Sequence, residues 1–146
     1  MDMLRPKQFV ICALLAASFW ASATLCIKFY PVAINAGMQG NLTFLTSIPV
    51  SWFSIWLTCR LARLEPHQIL AGCLVVLGDA MIIDGAALRW FPHVYAGNDT
   101  VTRYGAAWLL WGYGLGAWIA LAMASRSTRA RNNAGNVSSA NVLPTQ

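Results

Sequence analysis

The chain has 146 residues, of which 58% are hydrophobic and only 10% are charged, and its net charge is +5. Soluble domains carry about 25% charged residues, so this composition excludes an ordinary soluble protein and indicates an integral membrane protein. The positive charge does not indicate nucleic-acid binding, because the cations stand at the ends of apolar runs and form no basic face.

Four apolar runs are each long enough, at about 20 residues, to cross a bilayer as a helix. The predicted helices cover about residues 8–28, 42–60, 67–88 and 104–124. We therefore predict an all-α membrane protein, a four-transmembrane-helix bundle that forms one domain over residues 1–124. Residues 125–146 are rich in Ser, Asn and Ala and predict a disordered cytoplasmic tail.

The first run has the form of either a transmembrane helix or a secretory signal peptide, since Arg5 and Lys7 precede it. Residues 21–23, Ala-Ser-Ala, offer a cleavage site of the signal-peptide type. The apolar run from Phe9 to Ile27 is longer than the usual signal core of about 7 to 15 residues. Its length favours an uncleaved helix.

Four cysteines fall inside or at the edges of the apolar runs, at Cys12, Cys26, Cys59 and Cys73. No CxxC or Cys/His spacing typical of a zinc site is present. We interpret the cysteines as buried structural thiols and expect no metal and no cofactor.

The second run combines a central Pro49, which predicts a kink, with a line of hydroxyl side chains. At about 100° per residue the hydroxyls fall within an arc of about 80°. They are Thr43, Ser47, Ser51, Ser54 and Thr58. Two interpretations remain open: these residues pack and hydrogen-bond against a neighbouring helix, or they line a polar path beside an aspartate of the third run.

Two aspartates lie inside the third run. Asp79 stands at its midpoint, close to the membrane midplane, and Asp84 lies about 7.5 Å further outward along the helix axis. Ionisable groups at this depth are costly and point to a function or a specific partner. Because the two carboxyls are about 140° apart around the helix, they cannot share one site as a general acid and base would.

We expect different roles for the two aspartates. Asp84 is expected to form a structural ion pair with a cation at the outer boundary, namely Lys28, Arg89 or Arg103. Asp79 has no cation at its own depth, so its neutral form is favoured unless water reaches it. In that form its carboxyl can donate a hydrogen bond to a hydroxyl of the second helix.

The fourth run is dense in small residues and tryptophan. Gly112 and Gly116 form a GxxxG motif, and Gly105 lies a further two turns away. Small residues at this spacing let two helices approach closely, so they predict a packing face. We interpret the tryptophans as membrane anchors and packing residues.

The distribution of cations predicts the topology. If both termini and the connection between the second and third helices are cytoplasmic, seven cations lie inside and three outside, which satisfies the positive-inside rule. The seven are Arg5, Lys7, Arg60, Arg63, Arg126, Arg129 and Arg131, and the three are Lys28, Arg89 and Arg103.

Two segments, GDAMIIDGAALRWFPHVY and GAAWLLWGYGLGAW, carry a resemblance over about the C-terminal half of the chain. They resemble a family of small bacterial four-helix inner-membrane proteins in which an aspartate late in the third helix precedes an FP.V-type segment and a Gly- and Trp-rich fourth helix. The resemblance implies a multi-pass protein of the bacterial inner membrane, marks Asp84 and the Phe91-Pro92 turn, and implies no activity. Small multidrug-resistance transporters share the helix number, but the glutamate of their first helix is missing here.

Two functional classes are favoured over a membrane enzyme. The first is an accessory or assembly subunit of a membrane complex, with the lipid bilayer and a homo-oligomer or a larger complex as its partners. The alternative is a small proton-coupled or polar-solute transporter that uses Asp79. We do not expect an enzyme and predict no catalytic residue, because no Ser/His/Asp or Cys/His arrangement, HExxH motif or phosphate loop is present.

Overall fold

The computed structural model describes residues 4–140, and that part of the chain is all-helical without a strand. In chain order the helices are α1 Pro6–Phe29, α2 Pro31–Ile34, α3 Met38–Leu61, α4 Ile69–Trp90 and α5 Asp99–Ala140. Four of them are long and apolar enough to cross a membrane, α5 through its Asp99–Ser127 part. The prediction of an all-α chain with four membrane-length helices is confirmed.

The helices pack in the spatial order α1, α4, α5, α3. α4 lies at the centre because α1 packs along one side of it and α5 along another, while α3 packs mainly on α5. The end of the bundle that holds α2 and the connection between α4 and α5 is called the α2 end here. The opposite end holds the start of α1 and the connection between α3 and α4, and is called the N-terminal end.

Two glycines allow α5 to pack closely against α1 and α4. A Cβ atom at Gly105 would lie 3.0 Å from Ile27 of α1, and one at Gly116 would lie 3.1 Å from Leu77 of α4. Both positions are therefore places where α5 approaches a neighbour closely. Gly112, the third glycine predicted to pack, has no neighbouring atom within 4 Å of its Cβ position.

The N-terminal end is closed by a small set of buried amides. Gln8 of α1 donates through Nε2 to Gln68 Oε1 at 3.0 Å and to the carbonyl of Arg63 at 3.2 Å. The same Gln68 oxygen accepts the backbone N–H of Glu65 at 3.2 Å. Both glutamines are buried, at 8% and 3% exposure, so the start of α1 is fastened to the connection between α3 and α4.

Two boundaries differ from those expected for the last helix. α5 begins at Asp99 and not near residue 104, because the Asn98 side chain accepts the backbone N–H groups of Thr100 at 2.8 Å and Val101 at 3.4 Å. At its other end α5 continues to Ala140, where we expected a disordered tail from residue 125. A helix that is already formed extends without a new nucleation cost. The rest of the predicted tail, residues 141–146, lies outside the described residues.

The kink at Pro49 stays a prediction, and two of the four cysteines expected to be buried, Cys26 and Cys59, are only partly buried. Pro49 lies inside α3, which runs as one helix from Met38 to Leu61. The cysteines are free thiols, with Cys12 and Cys73 buried.

Candidate functional site

Asp84 occupies a buried polar site within the bundle. Its side chain is only 4% exposed, and both carboxylate oxygens accept hydrogen bonds from tyrosines. The Tyr95 hydroxyl donates to Oδ1 and the Tyr113 hydroxyl donates to Oδ2. The indole N–H of Trp20 donates to the Tyr95 oxygen at 3.1 Å. These four residues are called the Asp84 cluster below.

Local sequence explains how these side chains meet. Asp84 follows Ala80 and Val76 at intervals of four residues, so it shares their buried face of α4. After α4 a short 3₁₀ turn, Pro92–Val94, folds the chain back, and the backbone N–H of Tyr95 bonds the carbonyl of Pro92 at 3.1 Å. This turn directs the Tyr95 side chain into the bundle, where it is 1% exposed.

The Asp84 cluster ties four parts of the chain to one carboxyl group: α1 through Trp20, the α4–α5 connection through Tyr95, α5 through Tyr113, and α4 itself. Each oxygen of the Asp84 carboxyl accepts one hydroxyl hydrogen bond, so both oxygens have a donor. The pKa of Tyr95 is raised to about 12, mainly by burial and to a smaller extent by the hydrogen bond to Asp84. The Tyr95 hydroxyl therefore keeps its proton and stays a donor throughout the physiological pH range.

The structure gives Asp84 other partners than the cations we expected. Within the part of the chain that the structure describes, Lys28, Arg89 and Arg103 form no ion pair with it, and all three are exposed. Arg103 lies instead over the ring of Tyr104, with its guanidinium carbon 5.8 Å from the ring centre. Long basic side chains at helix ends keep their charged groups in water, whereas Asp84 faces the interior of the bundle.

The sequence analysis missed the two tyrosine partners of Asp84 and the tryptophan that donates to one of them. The signal that pointed to them was the presence of Tyr and Trp in or next to apolar runs, since the polar group of such a side chain needs a hydrogen-bond partner when it is buried. Our interpretation of the aromatic residues as anchors and packing groups omitted that requirement for Trp20, Tyr95 and Tyr113.

Asp79 lies at the centre of α4 on a different side of the helix. Its side chain is partly exposed, and the thiol of Cys12 on α1 is close enough to interact with it electrostatically. No described residue forms a hydrogen bond or an ion pair with Asp79. The two aspartates therefore differ: Asp84 is enclosed by hydroxyl donors, whereas Asp79 is partly exposed and has no hydrogen bond or ion pair among the described residues.

The hydroxyl side chains of α3 do not bond Asp79. Four of the five donate to carbonyl groups of their own helix, at distances from 2.6 to 3.1 Å. These four are Thr43, Ser47, Ser54 and Thr58, and the fifth, Ser51, is partly buried. α3 packs mainly on α5, whereas Asp79 lies on the side of α4 that faces α1.

No helix of the described residues packs on one side of α4. Its residues fall within an arc of about 100° and are called the α4 outer face. They are Leu74, Gly78, Met81, Ile82, Gly85 and Arg89. Ile82 is 71% exposed, and Gly78 and Gly85 have nothing within 4 Å of their Cβ positions. Asp79 flanks this face, about 60° around the helix from Ile82.

Within residues 4–140, no group of three or more His, Cys, Asp and Glu side chains is placed to hold a metal ion. Comparisons with models of protein families, with curated proteins and with solved structures found no match.

Proposed function

We propose that this protein is an accessory or assembly subunit of a membrane complex, and that it binds its partner through the α4 outer face and Asp79. The observation that carries the proposal is that Asp79, a carboxyl at the centre of a membrane-length helix, forms no hydrogen bond or ion pair with any described residue. A charged group at the centre of a membrane helix costs about 2.5 to 3.5 kcal/mol on insertion scales. A second membrane protein that covers Asp79 and supplies a polar partner offsets that cost.

The α4 outer face supports the same proposal. Gly78 and Gly85 stand two turns apart on it, and a glycine inside a helix destabilises the helix by about 1 kcal/mol relative to alanine. At Gly105 and Gly116 a close neighbour explains the absence of a side chain, but Gly78 and Gly85 have no neighbour within the described chain. Close packing by a helix of another protein accounts for them.

The alternative class, a proton-coupled or polar-solute transporter, has less support. It requires a polar path between water and Asp79. The hydroxyl side chains considered for that path donate mostly to their own helix, and none bonds Asp79.

We place the protein in a bacterial inner membrane with both termini in the cytoplasm, because this orientation puts seven of the ten cations on the cytoplasmic side. Reporter domains fused after Met38, Glu65, Gly97 and Arg131 should then report outside, inside, outside and inside. The opposite series would show that the orientation is reversed. A series that does not alternate between outside and inside would contradict four membrane crossings.

Photocrosslinking tests the proposed function. A photoreactive phenylalanine at Ile82, on the α4 outer face, should form an adduct with another membrane protein when cells are illuminated. The same group at Trp118 is the matched control, because that side chain is also highly exposed, at 74%, but lies on α5. We expect the adduct at Ile82 alone, and we expect Asp79→Leu to remove it. Equal adducts at both positions, or an adduct at Ile82 that contains only copies of this chain, would contradict the proposal.

A further inference from the structure

We infer that the partner presents a lysine or arginine side chain to Asp79 from the middle of a transmembrane helix. This inference rests on the proposed function and adds the chemistry of the partner. Intramembrane carboxyls usually pair with another group, and an opposite charge removes the largest part of their cost in hydrocarbon.

The chain's own cations cannot supply that charge. All of them lie at or beyond the ends of the membrane-length segments. On α4 itself the only cation is Arg89, ten residues from Asp79, which is about 15 Å along the helix axis and beyond the reach of an arginine side chain. A counter-charge at the depth of Asp79 can therefore come only from another molecule.

A second copy of this chain fits the site poorly. In a symmetric dimer with the same membrane orientation, the α4 helices would run parallel and place the two Asp79 carboxyls at the same depth. Two like charges at close range disfavour ionisation of both and repel each other when both are ionised. A helix with a basic residue at that depth meets the opposite charge and forms an ion pair, whose attraction is strong where the dielectric constant is low.

The shape of the α4 outer face also suits a long basic side chain. Gly78 immediately precedes Asp79, and no atom lies within 4 Å of the position that a Cβ atom would occupy at Gly78. A helix that packs on the α4 outer face can place the stem of a lysine or arginine across Gly78 and its charged group at Asp79. Ile82, one turn along, offers apolar contact to the same helix.

A synthetic helix tests this inference directly. The probe is a peptide of about 21 leucine and alanine residues with one central lysine. It carries an acceptor dye and is mixed in phosphatidylcholine vesicles with the full-length protein, which carries a donor dye on a C-terminal tag. The control peptides have leucine at the central position or the lysine one turn from the end. We expect about tenfold tighter binding of the central-lysine peptide, measured by energy transfer.

Protein variants show whether the preference depends on Asp79. The difference between the peptides should vanish in Asp79→Leu and persist in Asp99→Asn, a carboxyl change at the start of α5. The inference is overturned if all three peptides bind equally, or if the preference for central lysine survives in Asp79→Leu. It is also overturned if copies of the protein associate with one another through Asp79 in vesicles without peptide. If the peptides bind equally while the Ile82 adduct still depends on Asp79, the assembly role stands and only the basic partner is wrong.

Discussion

Replacing Asp84 with leucine is expected to lower the free energy of unfolding in detergent by about 2 to 4 kcal/mol. The change removes the acceptor for two tyrosine hydroxyls, of which Tyr95 is buried and Tyr113 is partly buried, and leaves both donors without that carboxyl. Asp84→Asn should lower the free energy of unfolding less than Asp84→Leu does. An amide keeps one acceptor oxygen but presents its NH₂ group to one of the hydroxyls. Thermal or denaturant unfolding followed by circular dichroism measures the effect.

The two tyrosine substitutions should lower the free energy of unfolding by different amounts. Tyr113→Phe removes one hydrogen bond to Asp84 and is expected to cost about 1 to 2 kcal/mol. Tyr95→Phe should cost more, because it also removes the acceptor of the Trp20 indole N–H. In a double-mutant cycle, Asp84→Leu and Tyr113→Phe should not be additive, since both remove the hydrogen bond between these two side chains.

Asp79→Leu is the matched control for Asp84→Leu, since it makes the same chemical change on the same helix. It removes a carboxyl that has no described hydrogen bond, so stability in detergent should stay within about 1 kcal/mol of the unchanged protein or increase. Losses from the two substitutions that are equal and small would show that the Asp84 cluster does not hold the bundle together.

The helices were predictable because each apolar run has the length of a membrane crossing and ends at a cation, a proline or a glycine. The separation of the aspartates was predictable for a similar reason, since a spacing of five residues fixes their angle around any helix. We predicted too late a start for α5 because its first turn is polar. Asn98 caps the helix there, before its apolar part begins.

The partners of Asp84 could not be predicted from the sequence. In a soluble helix the apolar side marks the buried face, but every side of these helices is apolar, so periodicity does not reveal which residues face inward. Tyr113 meets Asp84 only because α5 packs on α4, and the sequence does not state which helices are neighbours. The predicted ion pair followed from depth alone and ignored the direction in which Asp84 points.

The largest functional effect is expected from Asp79→Leu, which should separate the protein from its partner while leaving the bundle folded. The leucine removes the proposed contact and leaves the Asp84 cluster intact. Asp84→Leu should behave in the opposite way, because it weakens the fold and leaves Asp79 unchanged. Opposite responses in stability and in assembly would distinguish the two aspartates more clearly than either response alone.

The most direct test is the mass of the assembly purified in mild detergent from the protein's own membranes. We expect that the unchanged protein copurifies with a second membrane protein in a fixed ratio. We also expect that Asp79→Leu yields this chain without that protein, with a free energy of unfolding in detergent within about 1 kcal/mol of the unchanged protein or higher. An assembly that keeps its composition and mass in Asp79→Leu, or an unchanged protein that contains only copies of itself, would contradict the account.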